Sequence, residues 1–164
     1  MKNIGLLSDT HGYLDPSIKE FLRNCNEIWH AGDLGAYSVL QELEELATIR
    51  AVYGNIDGTD IRSEIPEKIR FSIEGLSVYM IHIGGYPGNY DKKIRDDILN
   101  DPPDLFISGH SHILKVIPDK KLSLLHINPG AAGKSGFHNI RTAVRFRIER
   151  GRIKNLEIWE KPRS

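Results

Sequence analysis

Two histidines one residue apart, His110 and His112, follow an apolar run, Phe106-Ile107-Ser108, that stops at Gly109. In an extended chain alternate side chains share a face, so both imidazoles would point the same way if strand geometry persisted through them. Neutral imidazoles converging at a strand end suit Zn, Mn or Fe, provided carboxylates complete the coordination. An H-x-H pair alone says little. Matching donors occur at four other places, each where a short apolar run breaks into a glycine-containing loop: Asp9 with His11, Asp33, Asn55, and His82. Two Asp, one Asn and four His are too many for one tetrahedral ion and suit two ions that share a bridging carboxylate. Two ions ~3.5–4 Å apart clamp an in-line displacement at phosphorus and turn a bridging water into hydroxide near neutral pH.

Donors so far apart in sequence meet only if the strands that carry them end side by side. Asn3 to Ser8, Glu27 to His30 and Ile49 to Tyr53 read as strands. Between them lie two amphipathic helices, one opening at Asp15-Pro16 with Asp15 as cap, the other carrying Val39 or Leu40, Leu43 and Leu46. Strand, helix, strand, helix, strand predicts βαβ units and a parallel sheet. In open α/β sheets the ligand crevice lies beyond the carboxyl ends of the strands, where these loops converge.

The style then changes. Lys68 to Ile73 and Leu76 to Ile81 flank Glu74-Gly75, a two-residue hairpin turn. A glycine-rich loop, Gly84 to Asn89, leads into a predicted helix over Tyr90–Asn100 that Asp101-Pro102-Pro103 ends. Leu105 to Ser108 is a further strand, Lys115 to Asp119 pairs with Leu122 to Asn128, and Arg141 to Glu149 turns at Arg150-Gly151 into Arg152 to Trp159. No repeat or linker interrupts the chain. The expectation is one domain over residues 1–164, with a parallel half and an antiparallel half packed as two sheets with helices outside.

At 164 residues, 40% hydrophobic and 27% charged, the chain is long enough for a substantial core. Basic and acidic residues balance at 22 each, so there is no obvious nucleic-acid track and no bulk attraction to anionic membranes. Cys25 is the only cysteine, which rules out an internal disulfide and favours a reducing setting. No signal-peptide pattern or bilayer-length apolar run is present, so a cytoplasmic location is expected.

The ordered set D-x-H (Asp9, His11), G-D (Asp33), G-N-x-D (Asn55, Asp57), H-x-G (His82) and G-H-S-H (His110, His112) resembles the calcineurin-like metallophosphoesterase superfamily. The short chain and Asn128-Pro129-Gly130 resemble its small prokaryotic phosphodiesterase branch. The resemblance spans roughly Asn3 to Gly130 and implies a mixed α/β, four-layer α-β-β-α sandwich. It further implies a dimetal phosphoesterase, a phosphodiesterase before a monoesterase, acting on a small-molecule phosphate ester through a metal-bridging hydroxide. One ion would take Asp9, His11, Asp33 and His112; the other would take Asp33, Asn55, His82 and His110, with Asp33 bridging. Asn55, Asp57 and His82 form the expected catalytic group, Asp57 supporting the Asn55 loop or a nearby imidazole. His30 would orient a ligand from behind. Mn leads as the metal, with Fe, Zn, Ni or Co fitting the same donors; four imidazoles disfavour Mg alone.

Two departures stand out. Phosphomonoesterases of the superfamily usually carry a histidine directly after the motif asparagine, and Ile56 stands there instead, which leaves the general acid unassigned. The fourth motif reads His82-Ile83-Gly84-Gly85, one residue longer than usual before its glycine. The loop after Asn128-Pro129-Gly130 would lie near the metals, which makes His138 or Lys134 a candidate substrate contact; the alternative is a solvated loop. His126 reads as structural. Tyr86, Tyr90 and Phe137 either line a substrate face or pack. A non-catalytic scaffold, as in the retromer relative of this fold, and a nuclease are the alternatives; the complete ligand set favours the enzyme. Oligomerisation is left open.

Overall fold

A computed structural model describes residues 1–164. The elements in chain order are β1 (Lys2–Leu7), α1 (Pro16–Leu22), β2 (Glu27–His30), α2 (Tyr37–Glu44), β3 (Thr48–Ala51), α3 (Thr59–Arg62), β4 (Lys68–Ile73), β5 (Leu76–Ile81), β6 (Gly85–Tyr86), β7 (Asn89–Tyr90), α4 (Arg95–Asn100), β8 (Leu105–Ile107), β9 (Leu114–Asp119), β10 (Leu124–Pro129), β11 (Ile140–Glu149) and β12 (Arg152–Pro162). Local chemistry explains several boundaries. Asp15 accepts the Ser17 amide at 2.8 Å and Pro16 opens α1, the expected cap. The turns of the β4–β5 and β11–β12 hairpins place Glu74-Gly75 and Arg150-Gly151 at positive φ, as tight hairpins require.

Two five-stranded sheets form, in the orders β12-β11-β1-β2-β3 and β4-β5-β8-β10-β9. Between them lies the main core. Ile4, Leu6, Trp29, Val144 and Phe146 from the first sheet meet Val78, Met80, Leu105, Ile107 and Ile127 from the second. The outer face of the first sheet is covered by Ile18 and Leu22 of α1 and Val39 and Leu43 of α2. Ile94 and Ile98, at the start of and within α4, cover Tyr79, Ile81 and Phe106 on the second. The result is the four-layer mixed α/β arrangement. A Cβ at mid-strand Gly5 would overlap the Leu22 side chain of α1, so the glycine leaves room for that side chain to pack on the strand.

Two expectations are corrected, and one element was not expected. The two halves are not parallel and antiparallel: both sheets are mixed, because β11 pairs antiparallel with β1 and carries the C-terminal hairpin into the N-terminal sheet, while β8 pairs parallel with both β5 and β10 in the other. The predicted helix over Tyr90–Asn100 begins only at Arg95, since Tyr90 pairs with Gly85 in a two-stranded ribbon and is buried with its hydroxyl donating to Asp119. The short helix α3, after the Asn55 loop, had no apolar period long enough to announce it.

Candidate metal centre

All five donor loops lie at the carboxyl ends of β1, β2, β3, β5 and β8 and come together. Two clusters form. Asp9, His11 and His112 make one, and Asp33, His82 and His110 the other, the ligand atoms within 4.8 Å of one another in each. Asn55 joins the second, its Oδ1 3.1 Å from His110 Nδ1. The two clusters touch through Asp33, whose Oδ2 lies 3.5 Å from His11 Nε2 and 3.2 Å from His82 Nε2. Asp9 Oδ1 reaches across as well, 3.8 Å from His82 Nε2.

The H-x-H motif does not behave as a strand. His110 and His112 have φ of 71° and 63°, so the chain leaves the extended region and sends the two rings to different clusters. Asp9, His11 and Asp33 are also left-handed, at 53°, 48° and 58°. Five of the seven candidate ligands therefore hold a conformation that costs non-glycine residues of order ~1–3 kcal/mol each, and such strain persists where surroundings over-determine it.

Those surroundings are specific. The Asp9 amide donates to Gly32 O, the His11 amide to Asp33 O and the Gly12 amide to Leu34 O, which lock the first two loops together. Fully buried His30 completes that lock. Its Nδ1 accepts the Gly32 amide, so its Nε2–H donates to Thr10 Oγ1, which in turn donates to Leu34 O. Burial pushes its pKa down to about 4, so it stays neutral in both roles. It holds loop backbones, not a ligand ring as expected. Asp57 is likewise spent on backbone: its carboxylate accepts amides of Leu34, Gly35 and Gly54 at 3.2, 2.9 and 2.8 Å, tying the Asn55 loop to the Asp33 loop. Gly54 leaves room for this junction, since a Cβ there would overlap the Asp33 carboxylate.

The histidine tautomers follow from their partners. His82 Nδ1 is 2.7 Å from Ala31 O, so that nitrogen carries a proton and Nε2 is the nitrogen turned toward Asp33. His138 Nε2 is 2.8 Å from Gly133 O and must donate to it; His138 Nδ1 therefore accepts from His112 Nδ1, 3.1 Å away. His112 Nε2 faces Asp9 Oδ1 at 3.1 Å and is the ring nitrogen turned toward the cluster. His138, the candidate substrate contact, has both ring nitrogens hydrogen-bonded, Nδ1 to His112 and Nε2 to Gly133 O. Lys134 lies over the Tyr13 ring, and Phe137 is fully solvent-exposed.

Electrostatics ask for cations here. Asp9 is completely buried and Asp33 nearly so. Burial opposes their ionisation, but His11 and His112 hold Asp9 well below the usual carboxylate range, and His82 does the same for Asp33. Reciprocally, Asp9 raises His11, and Asp33, against burial, raises His82. Yet the buried Nε2 atoms of His11 and His82 have no hydrogen-bond partner. Orphaned imidazole nitrogens aimed at buried carboxylates are a donor set for borderline divalent ions, and the residues fit two of them.

Asn128 is the residue the sequence reading undervalued. Its Nδ2 donates to Gly109 O and Ser111 Oγ while its Oδ1 accepts the Gly130 amide, so it clamps the His110 loop from the end of β10. The Asn-Pro-Gly triplet carried a family resemblance, and nothing in it named the loop that Asn128 would hold.

Comparison with known proteins agrees with this geometry. The model of the calcineurin-like phosphoesterase superfamily domain matches residues 1–151. A probable metallophosphoesterase of Methanothermobacter thermautotrophicus is 34% identical over 135 residues, covering 78% of this chain and 76% of that protein. One from Methanocaldococcus jannaschii is 31% identical over 134 residues, with 78% and 67% covered. The solved structure of a novel archaeal phosphodiesterase superposes with a TM-score of 0.74 at 28% identity, covering 96% of this chain and 99% of that one. Vps29 of Entamoeba histolytica, complexed with zinc, shares the fold, with a TM-score of 0.75 at 16% identity over 99% of each chain. With seven donors gathered in two clusters and these matches, the chain belongs to the calcineurin-like phosphoesterase superfamily, a family of dimetal-dependent phosphoric ester hydrolases.

Proposed function

We propose that this chain is a phosphodiesterase acting on small-molecule phosphate esters with two divalent transition-metal ions, manganese foremost. The observation that carries the reading is the pair of donor clusters joined at Asp33 Oδ2, with two buried imidazole nitrogens left unbonded. Asp9, His11, Asp33 and His112 would hold one ion, and Asp33, Asn55, His82 and His110 the other. When bound, such a pair polarises phosphoryl oxygens and activates water at neutral pH. The chain itself fixes tautomers through Ala31 O and the His138–Gly133 pair, so that Nε2 of His82 and of His112 stay free to ligate. It also buries the carboxylates, which strengthens every charge interaction at the site. Asp57 acts as a positioning residue between the Asp33 and Asn55 loops rather than as a catalytic group.

Diester preference rests on position 56. Ile56 offers no proton to a departing oxygen, its amide donates to Asp33 Oδ1, and its side chain is largely exposed. A positioned acid contributes typically ~10²–10⁴-fold, so leaving groups that depart readily as anions are favoured. Elemental analysis after reconstitution, with a screen of aryl monoesters and diesters, tests the reading. Two metal ions per chain and faster diester turnover are expected. A stoichiometry well below two under excess manganese, or turnover of monoesters alone, overturns it.

A further inference from the structure

Two cavities border the ligand loops, and their charge differs. One, of about 390 Å³, reaches Asn55 and His82 and is lined by Arg62 and Lys93 against Glu67 and Asp91. Its cations are already engaged. Lys93 pairs with Glu67, while the Arg62 guanidinium donates to the carbonyls of Asp57, Gly54 and Asn55 and lies on the Tyr53 ring.

The other cavity, of about 490 Å³, opens onto exposed His110 and carries Lys92, Arg95 and Lys115 against the single carboxylate of Asp91. None of these three cations is ion-paired. Arg95 donates only to the Tyr90 carbonyl, and the Lys115 ammonium lies 4.0 Å from the centroid of the Tyr86 ring. In a chain whose charges balance overall, three unpaired cations in one concave site create a local positive field that draws and holds anions.

We infer that the substrate carries a second anionic group, a phosphate or a carboxylate, and that the Lys92–Arg95–Lys115 cavity binds it while the ester phosphorus sits at the metal clusters. The inference rests on the phosphoesterase reading and adds the substrate class. His110 lines the cavity and belongs to the second cluster, so a substrate running from metal to cavity passes this ring. In the Arg62–Lys93 cavity two carboxylates, Glu67 and Asp91, offset the two cations and leave no net positive charge.

The test uses the manganese-loaded enzyme and three aryl phosphodiesters that share a leaving group and differ in the second ester arm: an uncharged alkyl chain, the same chain ending in carboxylate, and the same chain ending in phosphate. A charge-assisted contact of this kind predicts that an anionic arm raises kcat/KM about tenfold, through KM, because the contact is present in ground and transition states alike. Which arm gains identifies the anion. In Lys92→Glu and Lys115→Glu the ratio of charged to uncharged substrate should fall to about one. Equal kcat/KM for all three esters overturns the inference and leaves the phosphoesterase standing. Failure to hydrolyse any of them, the uncharged one included, overturns the phosphoesterase reading and the inference with it. A ratio that survives both lysine reversals places the anion elsewhere and also overturns the inference.

Discussion

Removing His138 should weaken one metal site and spare the other. The chain of donors runs from His112 Nδ1–H to His138 Nδ1, 3.1 Å, and from His138 Nε2–H to Gly133 O, 2.8 Å. Gly133 is itself anchored, its amide donating to Asp9 O. In His138→Ala the His112 ring loses the acceptor that fixes its tautomer and its orientation toward Asp9 Oδ1. Deleting such an outer partner typically costs ~10–100-fold in metal affinity, or about 1.4–2.7 kcal/mol. Only the Asp9–His11–His112 cluster contains this ring, so a calorimetric manganese titration should resolve one weakened site beside one unchanged. His138→Gln, with a side-chain oxygen to accept the same Nδ1–H, should recover most of the loss. Wild-type affinity at both sites in His138→Ala, within about twofold, would refute the reasoning. So would a glutamine variant as impaired as the alanine, because packing rather than hydrogen bonding would then be the cause.

The other predictions concern stability and leaving groups. Asp57→Ala strips the acceptor from three backbone amides and should destabilise the metal-free protein by about 4 kcal/mol, read as a Tm lower by roughly 10 °C; a shift under 3 °C would contradict the hydrogen bonding described. Gly54→Ala drives a Cβ into the Asp33 carboxylate and should disturb both sites at once, so loss of a single metal ion per chain would count against Asp33 as the bridge. Ile56→His should raise kcat for poor leaving groups more than for good ones; an unchanged dependence of rate on leaving-group pKa would place the acid elsewhere. Burial pushes buried His126 down to about 4, whereas the unfolded chain protonates near 6.5. Its neutral form therefore supports folding fully above pH 6.5, and that support is lost as pH falls toward 4. Against wild type, His126→Leu should gain about 3 kcal/mol over that interval in chemical denaturation; a constant difference would show that His126 is not held neutral.

What the sequence by itself determined was mostly local. Glu27–His30, Lys68–Ile73 and Leu76–Ile81 fall where β-branched and apolar alternation between turn residues places them, and Asp15-Pro16 starts its helix because cap and fixed φ act within one turn. The donor residues were legible too, since a chain has few reasons to end five apolar runs in Asp, Asn or His. Tertiary structure decided the pairings that no window of residues contains. β11 joins β1 across more than a hundred residues because the inner face of Val144, Phe146 and Ile148 completes the core between the sheets, and the hairpin follows it. The ribbon between Gly85 and Tyr90 cut back the expected helix in the same way, by giving Tyr90 a burial site that helical periodicity could not foresee. His110 and His112 share a motif but not a cluster. Their left-handed φ values are held by neighbouring loops, and side-chain direction in such a conformation depends on what packs around it rather than on spacing. His138 was visible as a histidine near the site; only the carbonyl of Gly133 on one side and His112 on the other fixed which of its nitrogens carries the proton, because the fold, not nearness in sequence, brings His112 to it.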